Sequence, residues 1–98
     1  MTVEKAKEGE ALVLRVQGRL DTTTAPDFDK YVEEAVPETN ELVFDLKDLE
    51  YVSSAGLRVI LKAHKDMMKK GSLTLKNVCD AVMDVLDISG FSDILTIE

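Results

Sequence analysis

A chain of 98 residues with 45% hydrophobic and 32% charged content has the makeup of one small globular domain and is too short for two. Its formal net charge of −7 opposes direct nucleic-acid binding and docking on an anionic membrane, and so favours a protein partner. One cysteine excludes an internal disulfide, and without an apolar leader or a run of about 20 apolar residues for membrane insertion, a cytoplasmic setting is expected.

Thr2 to Ala6 reads as a weak strand, Lys7 to Glu10 as a polar turn, and ALVLRV from Ala11 as a strand ending at Gly18, which together predict a hairpin. In TTTAPDFDKYVEEAVP, Phe28, Val32, Ala35 and Val36 repeat at helical spacing. Thr24 and Asp27 are placed as a capping box, and Pro37 stops the helix. LVFDL, Leu42 to Leu46, is a short apolar strand of a parallel sheet, with Asp45 marking a polar end.

From Ser54 to about Lys70, Leu57, Ile60, Leu61, Ala63, His64, Met67 and Met68 share one helical arc, with Arg58, Lys62, Lys65, Asp66 and Lys69 opposite. Gly71 is the expected C′ residue. SLTLKNV supplies another strand, Ala81, Val82, Val85 and Leu86 a third helix ended by Ser89-Gly90, and ILTI a last strand. The order β-β-α-β-α-β-α-β predicts an α/β fold with a small mixed, mostly parallel sheet in a single domain spanning 1–98.

In open α/β sheets the loops after the carboxyl ends of parallel strands gather at one edge, where sites form. Those loops are Gly18 to Thr24, Lys47 to Ser54 and Lys76 to Asp80. The serines of YVSSAGLRVI are therefore expected on one rim with Asp21 and the Asn77-Val78-Cys79 turn.

Ser53 or Ser54 is suited to cap the helix that follows, since Ser accepts a backbone N–H left unpaired in the first turn. Nucleophilic catalysis needs a base within hydrogen-bond reach. His64, the only histidine, lies ten residues past Ser54, roughly 15 Å along a helix, and falls on the apolar arc as a packed residue. The nucleophile-elbow pattern fails at Val52, where its first glycine belongs. No catalytic residue is assigned, and the chain is not expected to be an enzyme.

His64 and Cys79 have no metal-ligand spacing, and neither Walker A nor G-x-G-x-x-G is present, so no metal or cofactor is expected. Met67 and Met68 are read as core-filling residues, and Cys79, just before a helix, as a buried or capping residue. A helix N-terminus still favours a phosphate, which leaves a serine there as a candidate phosphate acceptor. Asp21 suits a loop or a cap as well as a partner surface, and Arg58 is the cation of the basic helix face nearest the serines.

GRLDTTTAP, LVFDLKDLEYVSSAGLRVIL, Gly71-Ser72-Leu73 and NVCDAVMDVLDISGFSDIL, in this order across nearly the whole chain, resemble the successive blocks of the STAS domain family. Within it the chain is similar to single-domain bacterial anti-sigma factor antagonists. The resemblance implies that Ser54 is the phosphoacceptor, with Ser53 as a competing acceptor. It further implies a partner, an anti-sigma factor that is also a serine kinase, and Asp21, Thr22, Ser53, Ser54 and Arg58, around the start of this helix, are the residues expected to face it. The unphosphorylated chain would bind that partner and free a sigma factor, phosphorylation would release it, and a phosphoserine phosphatase would reset the switch. An accessory STAS subunit of a membrane transporter is the alternative.

The chain departs from the family pattern in having Ser53 where an aspartate is common and Ala55 after the acceptor. It also ends at Thr96-Ile97-Glu98, where the family usually adds a last helix, and this implies a shortened version.

Overall fold

The computed structural model describes all 98 residues, Met1 to Glu98. Strands β1 (Thr2–Glu8) and β2 (Ala11–Leu20) form an antiparallel hairpin in which Val3 faces Val16 and Ala6 faces Val13. Helix α1 (Ala25–Ala35) and a short 3-10 turn (Val36–Glu38) lead into β3 (Glu41–Asp45). Next come β4 (Leu49–Val52), α2 (Ser54–Met68), β5 (Ser72–Lys76), α3 (Asp80–Ser89) and β6 (Thr96–Ile97).

The sheet runs β1-β2-β3-β5-β6, with β1 antiparallel to β2 and the later neighbours parallel. The Lys47–Ser54 segment, expected to be a loop, contains β4. This strand pairs in parallel with Gly18 to Leu20 beyond a register shift at Gly18/Arg19, taking the place beside β2 that β3 vacates at Asp45. Its burial runs buried, exposed, exposed, buried, so strict alternation does not announce it.

All three helices cover one sheet face. Leu12, Leu14, Leu42, Phe44, Leu73 and Leu75 point from the strands into the core that Phe28 and Val32 of α1, Ile60 and Met67 of α2, and Val82 and Leu86 of α3 complete. Phe28 and Phe44 meet edge to face at 5.3 Å, tying α1 to β3. On the opposite face only Ala11, Val13 and Val43 form a small buried group.

Several local expectations change. Thr24 precedes α1 but makes no capping bond into the helix, because its hydroxyl accepts the Asp21 N–H (2.9 Å) and sits 2.8 Å from the Arg19 carbonyl. Met68 is 67% exposed and fills no core space, while Leu61 and His64 are half-buried at the edge of the arc. Gly71 is not in the left-handed region of a C′ glycine. It is required by crowding, since a Cβ there would stand 1.7 Å from the Asn40 carbonyl oxygen, which accepts the Ser72 N–H.

Candidate functional site

The site grows from the ends of two adjacent parallel strands. Leu20 closes β2 and Val52 closes β4, the two are register partners, and the Ser53 N–H donates to the Leu20 carbonyl at 2.8 Å. That bond brings the Asp21–Thr24 loop beside the start of α2. Gly56 fixes how closely the helix sits on the strand ends, because a Cβ there would lie 2.7 Å from Leu20 Cγ and 3.0 Å from Val52 Cγ2.

The two serines hold different posts. Ser53 has extended backbone and is the N-cap: its Oγ accepts the Gly56 N–H at 3.3 Å and its carbonyl accepts from Leu57. Ser54 is the first helical residue, exposed, with its hydroxyl outside the hydrogen-bond network. The first turn of α2 carries no acidic side chain, so its free N–H groups and positive dipole end face no competing anion from their own helix.

Asp21 organises the facing loop. Its Oδ1 accepts the N–H groups of Thr23 (2.9 Å) and Thr24 (3.1 Å), and its carbonyl accepts from Ala25, so it does the work assigned from sequence to a Thr24–Asp27 capping box. The Thr24 N–H holds the Asp21 carboxyl below its ordinary 3.8; partial burial opposes this, and the Thr23 N–H, the Thr24 hydroxyl and the Arg19 charge assist.

Thr22 and Arg58 line one shallow groove with Pro26, Asp29 and Ala55 between α1 and α2. Lys62, one turn on, bonds Asp29 (3.3 Å) and Glu33 (3.1 Å) of α1, and these bonds raise its pKa above 10.5. Arg58 forms no ion pair with Asp29, so it remains the uncommitted cation nearest Ser54.

The structure thus gathers Asp21, Thr22, Ser53, Ser54 and Arg58 on one rim, while the Asn77–Cys79 turn stands apart. Cys79 donates from Sγ to the Leu49 carbonyl at 3.3 Å, at the start of β4, and Asn77 bonds Asp45 at 3.0 Å. Leu49 lies four extended residues before Ser53, about 13 Å away. The inserted β4 is what separates the turn from the serines.

Sequence reasoning missed Arg19 and Tyr51. They are cross-strand partners on β2 and β4, with the guanidinium 4.3 Å from the ring centroid, and both are exposed just behind Leu20 and Val52. Recognising β4 would have paired them. His64 stays on α2, far along the helix from Ser54, with a buried Nδ1 that has no partner. No group of three or more His, Cys, Asp or Glu side chains is arranged to hold a metal ion.

No helix is long and apolar enough to cross a membrane. The anti-sigma-B factor antagonist of Bacillus subtilis (strain 168) is 28% identical over 98 residues, covering 99% of this chain and 90% of that protein. An anti-sigma factor antagonist from Mycobacterium paratuberculosis superposes with a TM-score of 0.91 at 21% identity, over 98% of this chain and 83% of the other. The Bacillus cell fate determinant SpoIIAA in its phosphorylated form superposes with a TM-score of 0.75 at 17% identity, over 99% and 91% of the two chains. At these identities the two structures establish the fold. The STAS domain model matches residues 2–98, and the chain therefore belongs to the STAS domain family.

Proposed function

We propose that this protein is an anti-sigma factor antagonist, a binding module switched by phosphorylation of Ser54. In the unphosphorylated state the rim of Asp21, Thr22, Ser53, Ser54 and Arg58 docks on an anti-sigma factor that is a serine kinase, and a sigma factor is released. Transfer of the γ-phosphoryl group of ATP to Ser54 Oγ, with the hydroxyl proton taken by the kinase and ADP leaving, ends the complex. A phosphoserine phosphatase restores the hydroxyl, and the cycle runs in the cytoplasm.

The observation that carries this reading is the division between the serines: Ser53 is engaged as the cap, while Ser54 is exposed and unbonded at the helix N-terminus. A kinase can take Ser54 without dismantling the turn. The helix end tolerates a dianion of about −1.5 to −2, so the fold survives and the effect falls on the docked surface, where the charge must be desolvated beside Asp21. The names of the relatives support an antagonist over a transporter subunit.

The test is incubation with a serine-kinase anti-sigma factor from the same genome and ATP, followed by peptide mass spectrometry and affinity capture. Phosphate on Ser54, and loss of capture by Ser54→Asp with an unchanged melting temperature, are expected. Modification confined to Ser53, or to neither serine, overturns the assignment.

A further inference from the structure

The sheet face opposite the helices carries a pattern that the rim does not explain. Across β1, β2, β3 and β5, register partners place Glu4, Arg15, Asp45 and Lys76 in one row. The charges alternate: minus, plus, minus, plus. The next row is Ala6, Val13, Val43 and Thr74, all small, and beyond it Glu8, Ala11, Glu41 and Ser72 approach the strand starts. Side chains of Val13, Val43, Arg15, Asp45 and Lys76 line a shallow hollow on this face. No helix covers it.

Parallel sheets usually carry helices on both faces, and this one does not. The row of four is antisymmetric about the line between β2 and β3. A two-fold axis along that line lays β2 over β3 of a second copy and β1 over β5. Arg15 then meets Asp45, Glu4 meets Lys76, Val13 meets Val43 and Ala6 meets Thr74, each contact occurring twice. In the third row Glu8 meets Ser72 and Ala11 meets Glu41, so no like charges oppose one another.

We propose that this helix-free face is a self-complementary surface on which a second copy of the chain docks sheet to sheet, registered by the Glu4–Arg15–Asp45–Lys76 row. Val13 and Val43 of the small middle row are already only 4% and 5% exposed, so they add little area themselves; being small, they let two sheets approach to about 10 Å while the charged row makes the contact. Four strands and about five residues of length give on the order of 300 Å² per copy, below the roughly 800 Å² of a standard stable interface. The dimer therefore belongs to the weak class that forms as concentration rises. Within the chain the centre of the row is already engaged, with Arg15 3.5 Å from Asp45 and Glu8 and Asp45 also accepting from Asn77 and the Lys47 N–H, whereas at its ends Lys76 reaches Glu98 only at 3.9 Å and Glu4 has no ion pair, so the Glu4–Lys76 contacts are the ones a second copy completes.

The proposal is independent of Ser54 and is tested by sedimentation equilibrium from about 10 μM to about 1 mM at low salt, where surface charge is least screened. The wild type is expected to show a mass rising toward the dimer. Lys76→Glu and Glu4→Lys, each placing like charges together, should weaken association at least fivefold, and the double swap should restore it. Circular dichroism melts check that each variant folds. Should a reversal unfold the chain, Glu4→Gln and Lys76→Gln are substituted, with the expectation of weakened association at unchanged melting temperature. A wild type monomeric throughout, as expected if the face serves a different partner or solvent alone, overturns the proposal. So does a dimer indifferent to these variants, or one not restored by the swap.

Discussion

Ser53 accepts the Gly56 N–H at the start of α2, whereas Ser54 is exposed one residue later. Ser53→Ala is accordingly expected to cost about 0.5 to 1 kcal/mol, toward the low end for an N-cap because the bond is 3.3 Å long. Ser54→Ala should stay within about 0.5 kcal/mol, as for an exposed residue outside any network. Urea unfolding of the two variants separates the posts. That a serine caps this helix was legible from its position before an apolar repeat; which serine does so depends on the Ser53 N–H bond to Leu20, and hence on β4. The Thr24–Asp27 capping box was misread for a related reason: the pattern fits, but the Thr24 hydroxyl is engaged by Asp21 and Arg19.

Among the elements, the hairpin and the three helices follow from apolar periodicity, because each must bury one stripe on the same core. β4 escaped because a four-residue strand with two central exposed side chains, Glu50 and Tyr51, shows no alternation. Two glycines mark how elements approach one another, which spacing along the chain cannot reveal. At Gly71 a Cβ would strike the backbone oxygen of Asn40, which cannot yield without moving the start of β3. Gly71→Ala should therefore cost about 3 kcal/mol or more. At Gly56 the obstacles are side-chain carbons of Leu20 and Val52, so overpacking of about 1 to 3 kcal/mol is partly offset by about 1 kcal/mol of helix propensity gained with alanine. Gly56→Ala should be the milder of the two in chemical denaturation, and an equal or reversed order would contradict this account of α2 packing.

At the scale of the whole molecule, the α/β class and the mostly parallel sheet were legible, since strands separated by helices leave few other arrangements. The one-sided helix layer was not, because the strand sequences do not say which face a crossover covers. The same architecture sets the response to acid, through carboxylates at the carboxyl ends of β2 and β3. Asp21 is lowered first by the Thr24 N–H, as described. Asp45 is pushed up by partial burial, but the Asn77 amide, the Lys47 N–H and the Arg15 guanidinium outweigh that and leave it below 3.8. Both groups bind protons more weakly folded than unfolded, so their stabilisation is fully present above pH 3.8 and is lost as pH falls through their lower folded values. Urea unfolding at pH 7 and at pH 3 should show a fall in stability for the wild type. Asp21→Asn with Asp45→Asn should be less stable than the wild type at pH 7 and lose less on acidification, because its side chains have no proton to take up. An unaltered pH dependence in that double variant would assign the acid response to other carboxylates and remove these two strand ends from its cause.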